Sequence, residues 1–187
     1  MPLTFVSITE RPLPSTLYLD AGVFVRAVLR THEDHKAVLH LLQDAAIGPT
    51  RLYTSSIVVP EVNDAVYKWL LRAERELIPA PRAVKDAIWE ELEQVTNSVE
   101  QLIARARIEA CKADGPTRAR AWRLQREKKM RSFDAIHLAT CIRRSMRDIV
   151  TFDDDFHAID DATIRTSPVL AKAWTERLTR SSTEETT

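Results

Sequence analysis

Between Arg131 and Phe156 the chain reads RSFDAIHLATCIRRSMRDIVTFDDDF, and no other stretch constrains the fold as much. Ser132 stands as a polar cap before Asp134, and Phe133, Ile136, Ala139 and Ile142 form an apolar stripe at helical spacing. Arg143, Arg144 and Arg147 mark the helix end. Asp148 then leads into Ile149-Val150, an apolar run that stops at Thr151 and the acidic turn Asp153-Asp154-Asp155. So short a run suits a buried strand. A helix therefore feeds a strand, and the strand's end carries carboxylates.

The same order of parts opens the chain. Thr16–Leu19 is a short apolar run that ends at Asp20-Ala21-Gly22, before a helical run, Val23–Leu29. Asp20 is thereby placed at the carboxyl end of the first strand, where open parallel α/β sheets bind their ligands. Asp is equally a favoured helix N-cap, so both readings stand for Asp20 at this point. Thr31–Ala46 reads as an amphipathic helix with Ala37, Val38, Leu41, Leu42 and Ala45 on one side, ended by Gly48-Pro49. Leu52–Thr54 is a brief strand, and Ser55-Ser56 begin another helix. Pro60 must lie in its first turn, because further in it would cost about 3 kcal/mol. Glu61 follows, on a helix whose apolar face is Val58, Val62, Ala65, Val66 and Trp69. The macrodipole favours a glutamate there, which gives Glu61 a structural explanation too.

Apolar residues at three- and four-residue intervals from Val84 to Ala106 predict one long helix over Ala80–Asp114. With the preceding helix it forms a helical hairpin projecting from the sheet, and Trp69, Trp89 and Trp122 read as packing residues. Gly115-Pro116 breaks the chain, and Thr117 caps a basic helix. Ala162–Thr166 is a short edge strand with Ile164 inward, and Pro168 opens a last helix to about Leu178. The expected organisation is a lead-in over residues 1–15, one domain over 16–178, and a disordered tail over 179–187.

Composition supports an α/β chain with one core. It has 187 residues, 44% hydrophobic, with three glycines, too few for the tight turns of an all-β fold. Cys111 and Cys141 lie far apart, outside any zinc-binding pattern, as expected in a reducing cytoplasm. No run approaches the roughly 20 apolar residues of a membrane span, and no leader pattern opens the chain, so a soluble cytoplasmic protein is expected. Net charge is zero, yet Lys112–Arg131 holds eight basic and two acidic residues. Arg118, Arg123, Arg126 and Lys129 on that segment are either solvated or a phosphate-contacting face beside Asp134.

Three short motifs carry a resemblance. Asp20 after the first strand, SSIVVPEV at Ser55–Val62, and DAIHLA at Asp134–Ala139 followed by VTFDDDF at Val150–Phe156 resemble the PIN-domain ribonucleases, most of all the VapC-type toxins. The resemblance covers roughly Leu17–Leu71 and Arg118–Thr166 and implies a three-layer α/β/α fold around a short parallel sheet. Carried over position by position, it implies that Asp20, Glu61, Asp134 and Asp153 form an acidic site binding Mg²⁺ or Mn²⁺, with Asp155 as a further metal ligand. It also implies a supporting hydroxyl at Thr151, RNA as substrate, a cognate antitoxin and a homodimer. His137 holds the ordinary histidine position of the motif and reads as structural.

The chemistry agrees with that set. Phosphodiester hydrolysis needs a nucleophile among phosphate oxygens and a stabilised leaving group, and hard divalent cations held by carboxylates serve both needs. Clustered carboxylates raise one another's pKa, which is a liability without a metal. The alternative is a PIN-like RNA-binding or scaffolding module without cleavage. A phosphatase or receiver reading of Asp20 fits poorly, because Gly22 occupies the place of the second aspartate that the haloacid-dehalogenase pattern wants.

Overall fold

The protein is described by a computed structural model for residues 3–73, 82–158 and 162–184. Six strands form one all-parallel sheet: β1 (Thr4–Ser7), β2 (Thr16–Leu19), β3 (Arg51–Ser55), β4 (Glu109–Cys111), β5 (Asp148–Val150) and β6 (Thr163–Thr166). Their order is β1-β6-β5-β2-β3-β4. Seven α-helices are described: α1 (Ala21–Val28), α2 (His35–Ile47), α3 (Val58–Ala73), α4 (Arg82–Arg105), α5 (Gly115–Lys128), α6 (Ser132–Arg143) and α7 (Pro168–Glu184).

Strand alternation builds the three layers. On β2, Leu17 and Leu19 join one apolar cluster with α1 to α4, while Tyr18 between them joins the other with α5, α6 and α7. Leu52 and Tyr53 on β3 divide the same way, as do Val150 and Ile149 on β5. The chain runs outward from β2 through β3 to β4, then returns to the opposite side of β2 to form β5. The direction of winding thus reverses between β2 and β5. At such a reversal the loops leaving the two strands part and open a crevice. Asp20 follows β2 and Thr151 follows β5, so both stand at its mouth.

Several expectations are corrected. The lead-in contributes β1, which pairs with β6 and takes the sheet's edge, so β6 is an inner strand. The long helix starts at Arg82 and ends at Arg105, and Ala80 lies outside the described residues. Arg107 then adopts the left-handed conformation, φ 53°, and Glu109–Cys111 becomes a strand beside β3. Ala106 and Ile108 are both buried, so apolar spacing carried no sign of that break. The last helix continues past Leu178 to Glu184, while residues 185–187 lie outside the described part.

Side-chain expectations shift as well. Asn63 bonds Thr96 and the Tyr67 ring lies against Trp89, so α3 and α4 pack antiparallel as the expected hairpin. Trp69, Trp89 and Trp122, however, are exposed, and the deeply buried tryptophan is Trp174. Arg131, not Ser132, is the N-cap residue of α6. Asp114, not Thr117, caps α5, accepting from the Thr117 N–H at 3.0 Å. The buried face of α6 carries Asp134, Ala135, Leu138 and Cys141, whereas Phe133 of the expected stripe is exposed.

Candidate metal centre in an acidic cleft

Four segments deliver the acids. Asp20 sits at the N-cap position of α1 but makes no side-chain cap bond. Its carboxylate is buried and turns instead to Thr151, whose hydroxyl donates to Oδ2 at 2.9 Å. This separates the two sequence readings: the position is a cap, but the side chain is not used as one. Glu61 projects from the first turn of α3 and Asp134 from the first turn of α6. Asp153 follows β5, where the Thr151 hydroxyl accepts its backbone N–H at 3.1 Å. Thr151 thus ties the two strand ends together.

The acids line one cleft of about 450 Å³, together with Gly22, Arg26, Lys68 and Arg131. Within it, ligand atoms of Asp20, Glu61 and His137 lie within 4.8 Å of one another, as do those of Asp134, Asp153 and Asp155. Every acid named from the sequence therefore belongs to one of two adjoining groups. Asp154 is exposed, as expected. Arg118, Arg123, Arg126 and Lys129 are exposed on and just after α5 and do not line the cleft.

Two site residues escaped the sequence reading. His137 is completely buried and lies 2.6 Å from Glu61 Oε2 and 3.6 Å from Asp20 Oδ1 through Nε2. Tyr18, on β2, meets its Nδ1 at 2.7 Å. A carboxylate oxygen needs a donor, so Nε2 carries a proton toward Glu61. Tyr18 precedes Asp20 by two residues and His137 follows Asp134 by three, which is the signal that was available. Arg131 is the second omission. Its Nε donates to Asp134 at 2.9 Å and to Asp155 at 3.2 Å, and its Nη2 pairs with Asp153. One guanidinium spans the outer three acids.

Burial and mutual repulsion set the electrostatics. Desolvation, then the charges of Asp153 and Asp20, push the Asp134 carboxyl up to about 7, against the pull of Arg131. Burial likewise raises Glu61, while the bond from His137 opposes it. For His137 burial favours the neutral ring, but Glu61 and the neighbouring acids outweigh it and move its pKa upward. Asp20 Oδ1 is buried without a hydrogen-bond partner. An orphaned carboxylate oxygen among further carboxylates is the donor set that Mg²⁺ or Mn²⁺ takes, so these residues fit a hard divalent ion.

The family model for the PIN domain matches residues 17–162. The chain belongs to the PIN-domain family. A search of curated proteins by sequence found no match. Among solved structures, this PIN protein is similar to VapC20 of Mycobacterium tuberculosis, described as a sarcin-ricin loop cleaving toxin. The TM-score is 0.54 at 14% identity, covering 76% of this chain and 93% of that one. It is also similar to VapBC2 of Rickettsia felis, bound to a DNA fragment from its promoter, with TM-score 0.53 at 15% identity, covering 81% and 98%. At these identities the likeness is one of fold, and it agrees with the α/β PIN architecture. Among the described residues no helix is long and apolar enough to cross a membrane.

Proposed function

We propose that this PIN protein is a Mg²⁺- or Mn²⁺-dependent endoribonuclease and the toxin of a toxin–antitoxin pair acting in the cytoplasm. The observation that carries this reading is the convergence of Asp20, Glu61, Asp134 and Asp153 from four separate segments on one cleft. A purely binding surface gains nothing from buried acids that repel one another, which disfavours the non-cleaving module. Asp20, Glu61, Asp134 and Asp153 would hold the metal, with Asp155 at the margin. When bound, such an ion supplies a nucleophilic hydroxide at neutral pH and charge neutralisation at the leaving oxygen.

The chain's own residues prepare that site. Thr151 fixes Asp20 in a position where one oxygen stays available. His137 holds Glu61 by Oε2, so the carboxylate keeps a single orientation. Arg131 offsets the charge of the outer acids. The exposed cations of α5 are available to phosphates further along an RNA strand. A cognate antitoxin and a homodimer complete the reading; the likeness in fold to VapBC2 supports the antitoxin.

The test is cleavage of a mixed cellular RNA pool by purified protein with Mg²⁺ or Mn²⁺, beside a chelator control and Asp20→Asn. Cutting that requires metal and is lost in the variant is the expected outcome. Folded protein that binds RNA and metal but leaves RNA whole would move the non-cleaving module ahead.

A further inference from the structure

The cleft holds a cation that neither the acids nor the basic helix explains. Arg26 sits on α1, six residues after Asp20, with its side chain 19% exposed and lining the cleft. Its guanidinium lies 3.8 Å from the centroid of the Phe152 ring, Nη1 donates to the Gly22 carbonyl at 3.1 Å, and Asp34 stands 3.5 Å from Nε. Nε itself is buried with no hydrogen-bond partner. With Nε buried beside Asp34, the group is fixed on three sides and the donors left over are on its terminal nitrogens.

Its placement gives those donors a purpose. A Cβ on Gly22 would stand 3.4 Å from Arg26 Nη1, 3.5 Å from Asp20 Oδ2 and 3.8 Å from the Phe152 ring. Guanidinium and carboxylate thus border the same small space, kept open because residue 22 has no side chain. Arg26 makes no bond to Asp20, although it lies beside it. An arginine held rigid against an aromatic face, next to acids that bind the reacting phosphate through a metal, is set up for planar, two-point recognition of a phosphate group.

We propose that Arg26, seated on Phe152, is the residue of this cleft that grips a phosphate of the RNA strand next to the one being cut. This rests on the ribonuclease reading above and adds to it a binding residue, separate from the exposed cations of α5. The grip is geometric as well as electrostatic, so lysine replaces it only in part. Gly22 belongs to the same device, since a side chain there would fill the space that the phosphate enters.

The experiment measures binding of a fluorescein-labelled single-stranded RNA of mixed sequence in Ca²⁺ at several salt concentrations. Wild type is compared with Arg26→Gln, Arg26→Lys and Phe152→Leu, and Mn²⁺ affinity is followed in parallel by calorimetry. Expected are a fall of about ten-fold or more in RNA affinity for Arg26→Gln, with the salt slope reduced by about one, and a smaller fall for Arg26→Lys and Phe152→Leu. Mn²⁺ should bind Arg26→Gln as well as wild type or better, because a cation beside the acids has been removed. Unchanged RNA affinity and slope in Arg26→Gln would overturn the assignment while leaving the nuclease reading standing. A parallel loss of Mn²⁺ affinity would also overturn it, assigning Arg26 to support of Asp20. Wild-type protein that binds Mn²⁺ but no RNA would remove the ribonuclease reading, and Arg26's role with it.

Discussion

His137 and Glu61 meet at 2.6 Å between two elements far apart in sequence, with the ring wholly buried and its other nitrogen 2.7 Å from the Tyr18 hydroxyl. The imidazole is a brace between β2 and the glutamate of α3. Tyr18→Phe should lower Mn²⁺ affinity by roughly ten-fold or more, the usual cost of losing an outer-shell partner. It leaves a buried nitrogen unsatisfied, so stability should also fall by about 1–3 kcal/mol. Calorimetric titration with Mn²⁺, beside a urea melt, checks both. Metal affinity unchanged in the variant would reduce His137 to a packing group.

Asp134→Asn should abolish cleavage while preserving the fold, as read from RNA cleavage and circular dichroism. Without metal the variant should in addition be the more stable protein at pH 8. The Asp134 carboxyl, held near 7 in the folded chain against about 3.9 when unfolded, binds its proton more tightly in the native state. Native protein therefore carries more protons than unfolded protein between those values, and stability falls as pH rises through that window. Amide substitution removes the titration. A melt of metal-free variant and wild type at pH 8 measures the difference.

The same carboxyl sets how metal uptake depends on pH. An ion that needs the Asp134 carboxylate must displace its proton below about pH 7, so Mn²⁺ affinity should climb with pH and level off above that value. Burial and the charges of Asp153 and Asp20 cause the shift, and Arg131 restrains it. Arg131→Gln should accordingly move the midpoint to higher pH. Titration of Mn²⁺ from pH 5.5 to 8.5 tests the sign of both effects.

Far from the cleft, Trp174 of α7 is 1% exposed and meets Phe5 of β1 edge to face, ring centroids 5.4 Å apart. Trp174→Ala should cost about 3–5 kcal/mol, measured by urea unfolding. Phe5→Ala should cost part of the same amount, and the two losses should not add, since each removes one side of a single contact. Additive losses would mean that the N-terminal strand and the last helix are held independently.

Two strand ends were legible from sequence because a polar residue closes each short apolar run: β2 stops before Asp20 and β5 before Thr151. Asp20 and Asp153 follow those two strands, and the resemblance to the PIN motifs joined Glu61 and Asp134 to them. What was hidden lacks that punctuation. Ala106 and Ile108 are buried just past the end of α4, and the φ of Arg107 records the break. β1 holds mixed side chains whose pairing with β6 is set more than 150 residues away in sequence. His137 reads as structural from its place in the motif, and it is buried. Its role depends on Tyr18 and Glu61, which no local pattern connects to it. Trp69 and Trp89 kept the helical spacing of packing residues but fell on the outward side of α3 and α4.

Parallel pairing of β2 with β5 has a consequence for how the protein comes into being. Asp20 leaves a ribosome 131 residues before Thr151, which orients it, and Asp153 follows later still. Until then β2 lacks its neighbour on that side, and the cleft has one wall. A chain halted before this point carries Asp20 and Glu61 but no assembled centre. Assembly of the centre therefore waits on β5, and the growing polypeptide passes through an interval in which its acids are not yet held together.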